Sequence, residues 1–140
     1  MGEYVISCCS TADLTEKHFR ERGISYVWFH YELDGKEYAD DLGKSVPFDE
    51  FYQAMQQGAE TKTSQVNAEE FEAYFETFLR EGKDILHVSL SSALSGVMNS
   101  AKIARENLAV RYPKQKIFLV DSLGASSGYG LLMDKLADLR

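Results

Sequence analysis

The chain has 140 residues, 44% of them apolar and 26% charged, enough for one packed core and too few for two ordinary domains. Fifteen basic against twenty-two acidic side chains leave a net charge of -7, which repels nucleic-acid backbones and anionic lipid surfaces and makes both poor partners. No apolar run approaches the roughly 20 residues of a membrane helix, and the N-terminus lacks a signal peptide's basic start and long apolar middle. A cytoplasmic protein with no stable membrane insertion is expected. Adjacent Cys8 and Cys9 offer neither a disulfide framework nor zinc spacing, so reduced, half-buried thiols are expected there.

Residues 4–8 (YVISC) form a short apolar run that reads as a strand, and Thr15 then caps a helix over residues 16–22 that Gly23 ends. Residues 24–33 are rich in aromatic and β-branched side chains. Asp34-Gly35 separates them from residues 36–38, which predicts a β-hairpin near residues 24–39. Pro47 suits the start of a helix running through Gln57, and Gly58 closes it. A polar loop over residues 60–66 comes next. Asn67 followed by Glu70 makes a capping box, after which Phe71, Tyr74, Phe75, Phe78 and Leu79 recur on one helix face.

Residues 84–90 (DILHVSL) read as a buried strand; a Ser-rich turn follows, then a helix from about Gly96 to Arg111 that stops before Pro113. Residues 116–120 (KIFLV) repeat the strand, a Gly/Ser-rich turn covers residues 122–128, and Leu131, Leu132, Met133, Leu136 and Leu139 mark a last helix. Strands alternating with helices predict an α/β domain over residues 1–140. Its mostly parallel sheet is sandwiched by helices, with ligands at the carboxyl ends of the strands.

Three strands each run into a hydroxyl-rich turn: Cys9-Ser10-Thr11, then residues 91–96 (SSALSG), then residues 122–128. Such turns aim free N–H groups, hydroxyls and a helix's positive end at an anion, a small carboxylate or phosphate. The same Ser and Thr residues also serve as ordinary helix caps. Gly124-Ala125-Ser126-Ser127-Gly128 matches the G-x-S-x-G nucleophile elbow, yet His18, His30 and His87 all precede Ser126, the reverse of the order such hydrolases use. The flanking glycines are expected to let the backbone turn tightly onto the helix. The turn also lacks the lysine of a P-loop and the spacing of a dinucleotide fingerprint. His87 is expected in the core on a backbone partner, and Asp40, Asp41, Asp49 and Glu50 as solvated caps. Nothing in these residues specifies a reaction.

Ser10 to Leu14 (STADL), Thr63-Ser64-Gln65 (TSQ), Leu94-Ser95-Gly96 (LSG) and Ala125 to Gly130 (ASSGYG), with a Phe-Tyr-rich helix before TSQ, share the order and spacing of one bacterial family. The chain resembles the first domain of the DegV family, in its FakB-type fatty-acid-binding form. The resemblance implies a non-enzymatic carrier without a cofactor. It implies two α/β domains, a long-chain fatty acid between them, and presentation of the acyl group to a separate fatty-acid kinase. Carried over by position, Thr63 and Ser95 are the carboxylate ligands, Ser64 and Gly96 stand beside them, and Ser126 lies in the neighbouring turn. Cys8 and Cys9 stand where the family usually has Thr-Asp, Val66 replaces a frequent Pro, and Val97 the usual Thr. The family is about twice as long, so its C-terminal domain, with basic head-group residues and half of the tunnel, is expected to be absent. Alternatives are a serine hydrolase through Ser126, a phosphate-handling enzyme built on the Ser-rich turns, and a degenerate interaction domain without ligand.

Overall fold

The computed structural model describes residues 3–140. In chain order it runs β1 (Tyr4–Cys9), a 3-10 turn (Ser10–Ala12), α1 (Glu16–Glu21), β2 (Ile24–Val27), β3 (His30–Leu33), β4 (Lys36–Ala39) and α2 (Phe48–Gln56). There follow β5 (Thr61–Ser64), α3 (Ala68–Arg80), β6 (Asp84–Ser89), α4 (Val97–Arg111), β7 (Ile117–Asp121) and α5 (Ser126–Leu139). Four strands form a parallel sheet in the order β2-β1-β6-β7, and the other three an antiparallel sheet in the order β4-β3-β5.

Strand parity divides the core between the two faces of the parallel sheet. Ser7 and His87, paired across β1 and β6, face α3, whose Phe71 and Phe75 rings stand edge-on to the imidazole at 5.3 Å. Ile6, Cys8 and Tyr26 face the other way, where Phe19 of α1 stacks on Tyr26 at 4.3 Å. On that side α5 is tied to α1 by His18–Asp134 at 2.8 Å and by Arg22 to Asp134 and Asp138. Fully buried side chains from both faces, Phe19, Phe71, Phe75, Ile6, Ile85, Leu108, Tyr129 and Met133 among them, make one continuous core. Helix starts follow the expected chemistry: Thr15 Oγ1 accepts from His18 N, and Asn67 and Glu70 complete their capping box.

Four expectations change. The apolar run 24–33 divides between sheets: β2 joins the parallel sheet, and only β3 makes the hairpin with β4 around Asp34-Gly35. The change of sheet falls at Phe29, whose N–H is held by Ser10 Oγ at 3.0 Å. The polar loop 60–66 contains β5, an edge strand recruited by pairing with β3, Tyr31 opposite Thr63. The third hydroxyl-rich turn is shorter than expected, because α5 begins at Ser126, and its tight φ angles belong to Leu123 (52°) and Ser126 (48°), not to the glycines. Cys8 and Cys9 are completely buried free thiols. Burial pushes the Cys8 thiol well up and the Cys9 thiol to about 12, so neither is a thiolate at neutral pH.

Candidate functional site

A cleft of about 790 Å³ opens where the carboxyl ends of β1, β2 and β6 meet the antiparallel sheet. The parallel sheet supplies its floor through Thr11, Phe29, Leu90 and the turn that carries Ser95 and Gly96. The antiparallel sheet and α2 supply its wall. Tyr31 lies edge-on to Phe51 of α2 at 5.3 Å, and Phe48 and Tyr52 continue the aromatic surface while remaining 58% and 60% exposed. Although α2 is strongly amphipathic in sequence, it buries no residue, so its apolar face serves the cleft instead of a core.

Thr63, Ser64, Ser95 and Gly96 all line this cleft, Thr63 and Ser64 from β5 and Ser95 and Gly96 from the turn before α4. Ser126 stands apart, exposed at the first residue of α5 and outside the cleft lining. Ser95 Oγ accepts from Val97 N at 3.2 Å in the turn that leads into α4, so the hydroxyl and the helix's positive end lie together at the cleft. Its own hydroxyl donates to Gln65 Oε1 at 2.9 Å, and Gln65 Nε2 reaches Ser100 Oγ at 3.3 Å. Gly96 leaves room for this arrangement: a Cβ there would lie 3.3 Å from Gln65 Oε1.

Charge in the cleft is sparse. Among the described residues its lining contains Asp40 and His30 but no lysine or arginine. Burial pushes the Asp40 carboxyl above its usual range, against hydrogen bonds from Ser10 and the Leu42 backbone; Asp40 is therefore not a solvated cap. His30 pairs with Glu70 at 3.0 Å.

The three histidines are engaged away from Ser126. His18 pairs with Asp134, and His30 with Glu70. His87 is fully buried, as expected, but its partners are side chains instead of backbone: Nδ1 to Ser7 Oγ at 2.9 Å and Nε2 to Cys9 Sγ at 3.8 Å. Burial pulls its imidazole down to about 3, so it stays neutral. No group of three or more metal-ligating side chains occurs among the described residues, and no helix there is long and apolar enough to cross a membrane.

Sequence reasoning named Thr11 only within a hydroxyl-rich turn, Asp40 only as a solvated cap and Gln65 only within TSQ, and gave the Phe-Tyr-rich helix no place in the site. Gln65 was within reach, since it completes the TSQ motif; the wall was not, because an apolar helix face reads the same whether it meets a core or a ligand.

A family model described as "Uncharacterised protein, DegV family" matches residues 6–140. The chain belongs to the DegV family. A DegV domain-containing protein of Clostridium perfringens is 36% identical over 140 residues, all of this chain and 48% of the relative. This DegV chain thus spans about half the length of the curated relatives it matches. Among solved structures, a stearic-acid-binding protein from Eubacterium ventriosum superposes with a TM-score of 0.88 at 27% identity, over 97% of this chain and 47% of that one. The Streptococcus pneumoniae fatty acid kinase (Fak) B3 protein, loaded with linoleic acid, matches at 26% identity and TM-score 0.73, over 99% of this chain and 48% of its own. The shared DegV fold is the α/β architecture described above, a four-stranded parallel sheet flanked by helices with an antiparallel hairpin sheet beside it.

Proposed function

We propose that the cleft binds a long-chain fatty acid as a non-enzymatic carrier, and that it presents the carboxylate to a fatty-acid kinase. The carrying observation is the polarity of the cleft, aromatic along α2 and β3 and hydroxylic where Thr63, Ser64, Ser95 and Gly96 meet the start of α4. An acyl tail fits the first surface and a carboxylate the second. Burying a sixteen-carbon tail is worth roughly 10 kcal/mol at about 0.8 kcal/mol per methylene. Each head-group hydrogen bond adds about 1 to 3 kcal/mol. Affinity then resides in the tail, and orientation in Thr63 and Ser95.

Fatty-acid-loaded relatives of the same fold support this reading, and the name of the pneumococcal relative supports the kinase partnership. Among the described residues the lining has no lysine or arginine to balance a carboxylate, and its His30 is paired with Glu70, which favours charge balance from a second domain of the kind the longer relatives have room for. A cytoplasmic location accords with that partnership.

Two measurements test the proposal. Solvent extraction of the purified protein followed by mass spectrometry is expected to release a stoichiometric long-chain fatty acid. Thr63→Val and Ser95→Ala are expected to weaken oleate binding by about tenfold each while sparing oleyl alcohol. Equal losses for both ligands would remove the carboxylate role.

A further inference from the structure

The Ser95 hydroxyl has a single proton, and Gln65 takes it: Ser95 Oγ donates to Gln65 Oε1 at 2.9 Å. One lone pair of Ser95 Oγ is used as well, by Val97 N at 3.2 Å, which ties the side chain to the start of α4 and orients its proton outward. Gln65 is itself held, by Ser100 Oγ at 3.3 Å and by the flat surface of Gly96, where a Cβ would come within 3.3 Å of Oε1 and 3.4 Å of Nε2. Gln65 and Ser95 also come from opposite sides of the cleft, the chain just after β5 and the turn before α4.

We propose that Gln65 is an internal acceptor that competes with the ligand's head group for the Ser95 hydroxyl, making Gln65 a specificity-determining residue of the cleft. This rests on the fatty-acid reading above. A carboxylate bound at Ser95 needs the proton that the Gln65 amide already accepts, so binding exchanges one acceptor for another. The exchange favours the ligand only when its acceptor is the stronger of the two. A hydrogen bond to an ionised acceptor is about twice as strong as one to a neutral acceptor, so a carboxylate displaces the amide. An alcohol or ester, neutral like the amide, gains little from the same exchange. Gln65 thereby sets a threshold that an ionised head group passes.

Two substitutions at this exposed position move the threshold in opposite directions. Gln65→Leu frees the Ser95 proton for any acceptor; oleate and oleyl alcohol are both expected to bind about fivefold more tightly. Gln65→Glu installs a charged competitor; oleate is expected to weaken by at least about tenfold, with oleyl alcohol little changed. Weaker oleate binding by Gln65→Leu would overturn the proposal, because Gln65 would then be a direct ligand contact. So would an equal effect of Gln65→Glu on both lipids. A lipid-free arm isolates the contact: the Gln65 side-chain amide resonances are expected to shift on Ser95→Ala, and unmoved resonances would sink the contact itself. Wild-type protein that binds no oleate would overturn the fatty-acid reading and the competition with it, while the amide resonances still report whether Gln65 and Ser95 are joined.

Discussion

Burial of His87 ties the stability of the protein to pH. Its imidazole sits near 3 in the fold against 6.5 in an ordinary environment, so between those values the unfolded chain holds a proton that the fold refuses. The contribution is fully present above about pH 6.5 and is lost as pH falls, at about 1.4 kcal/mol per pH unit. Urea titrations between about pH 7 and pH 5 are expected to show that slope, and His87→Leu to flatten it by one proton. A wild-type slope that survives in the variant would show that other groups carry it. Tyr129 makes a second demand. Its hydroxyl accepts from Cys9 N at 3.0 Å and donates to Val88 O, joining α5 to the carboxyl ends of two central strands. Tyr129→Phe strands both buried backbone groups and is expected to cost about 2 kcal/mol in chemical denaturation. The last Gly of ASSGYG, which follows this tyrosine, has an equally local cause, since a Cβ on Gly130 would lie 2.5 Å from Ala12 O.

At the scale of elements, α5 contains its own control. Gly130→Ala forces the helix off the 3-10 turn and is expected to cost about 1 to 3 kcal/mol. Gly128→Ala, with nothing within 4 Å, is expected to stabilise by about 0.5 to 1 kcal/mol; thermal melts of the pair read both signs. A second contrast sets α2 against α3. The former buries nothing and rests on the Tyr31–Phe51 edge, whereas the latter buries Phe71, Phe75 and Leu79. Amide exchange is expected to be far faster in α2 than in α3. These two helices also show what the sequence discloses. For α3, the Asn67–Glu70 box and the Phe71, Phe75, Leu79 period specify start, face and depth together. For α2, the period specifies a face but not what meets it. β5 was invisible because Thr61–Ser64 has no apolar alternation, and its extended state is supplied by Tyr31 and its neighbours in β3, about thirty residues away. The hydroxyl side of the cleft could be read from short motifs, because Thr63 and Ser95 each lie within one. The aromatic side could not, because it exists only once two sheets are brought together.

For the whole molecule, the uncovered surface is as informative as the core. Phe118 and Val120 of the edge strand β7 lie on the α1/α5 side of the sheet at 53% and 45% exposure, and α5 leaves Leu131, Leu132 and Leu139 outside as well. Such exposed apolar area favours association, which the net charge of -7 opposes. Sedimentation is expected to show self-association that strengthens as salt screens the repulsion, and Phe118→Lys to reduce it. Unchanged association in that variant would place the contact elsewhere. The core and the cleft also divide along the chain. Every buried residue lies at or before Phe29 or at or after Val66, with none between. The strands β3, β4 and β5 and the helix α2, which hold the aromatic wall and Thr63, therefore form one uninterrupted excursion between two anchored points. That excursion can be exchanged as a cassette. Mutation or recombination within it can reshape the cleft while the buried core stays as it is, so the shape of the cleft and the packing of the core are separately heritable traits.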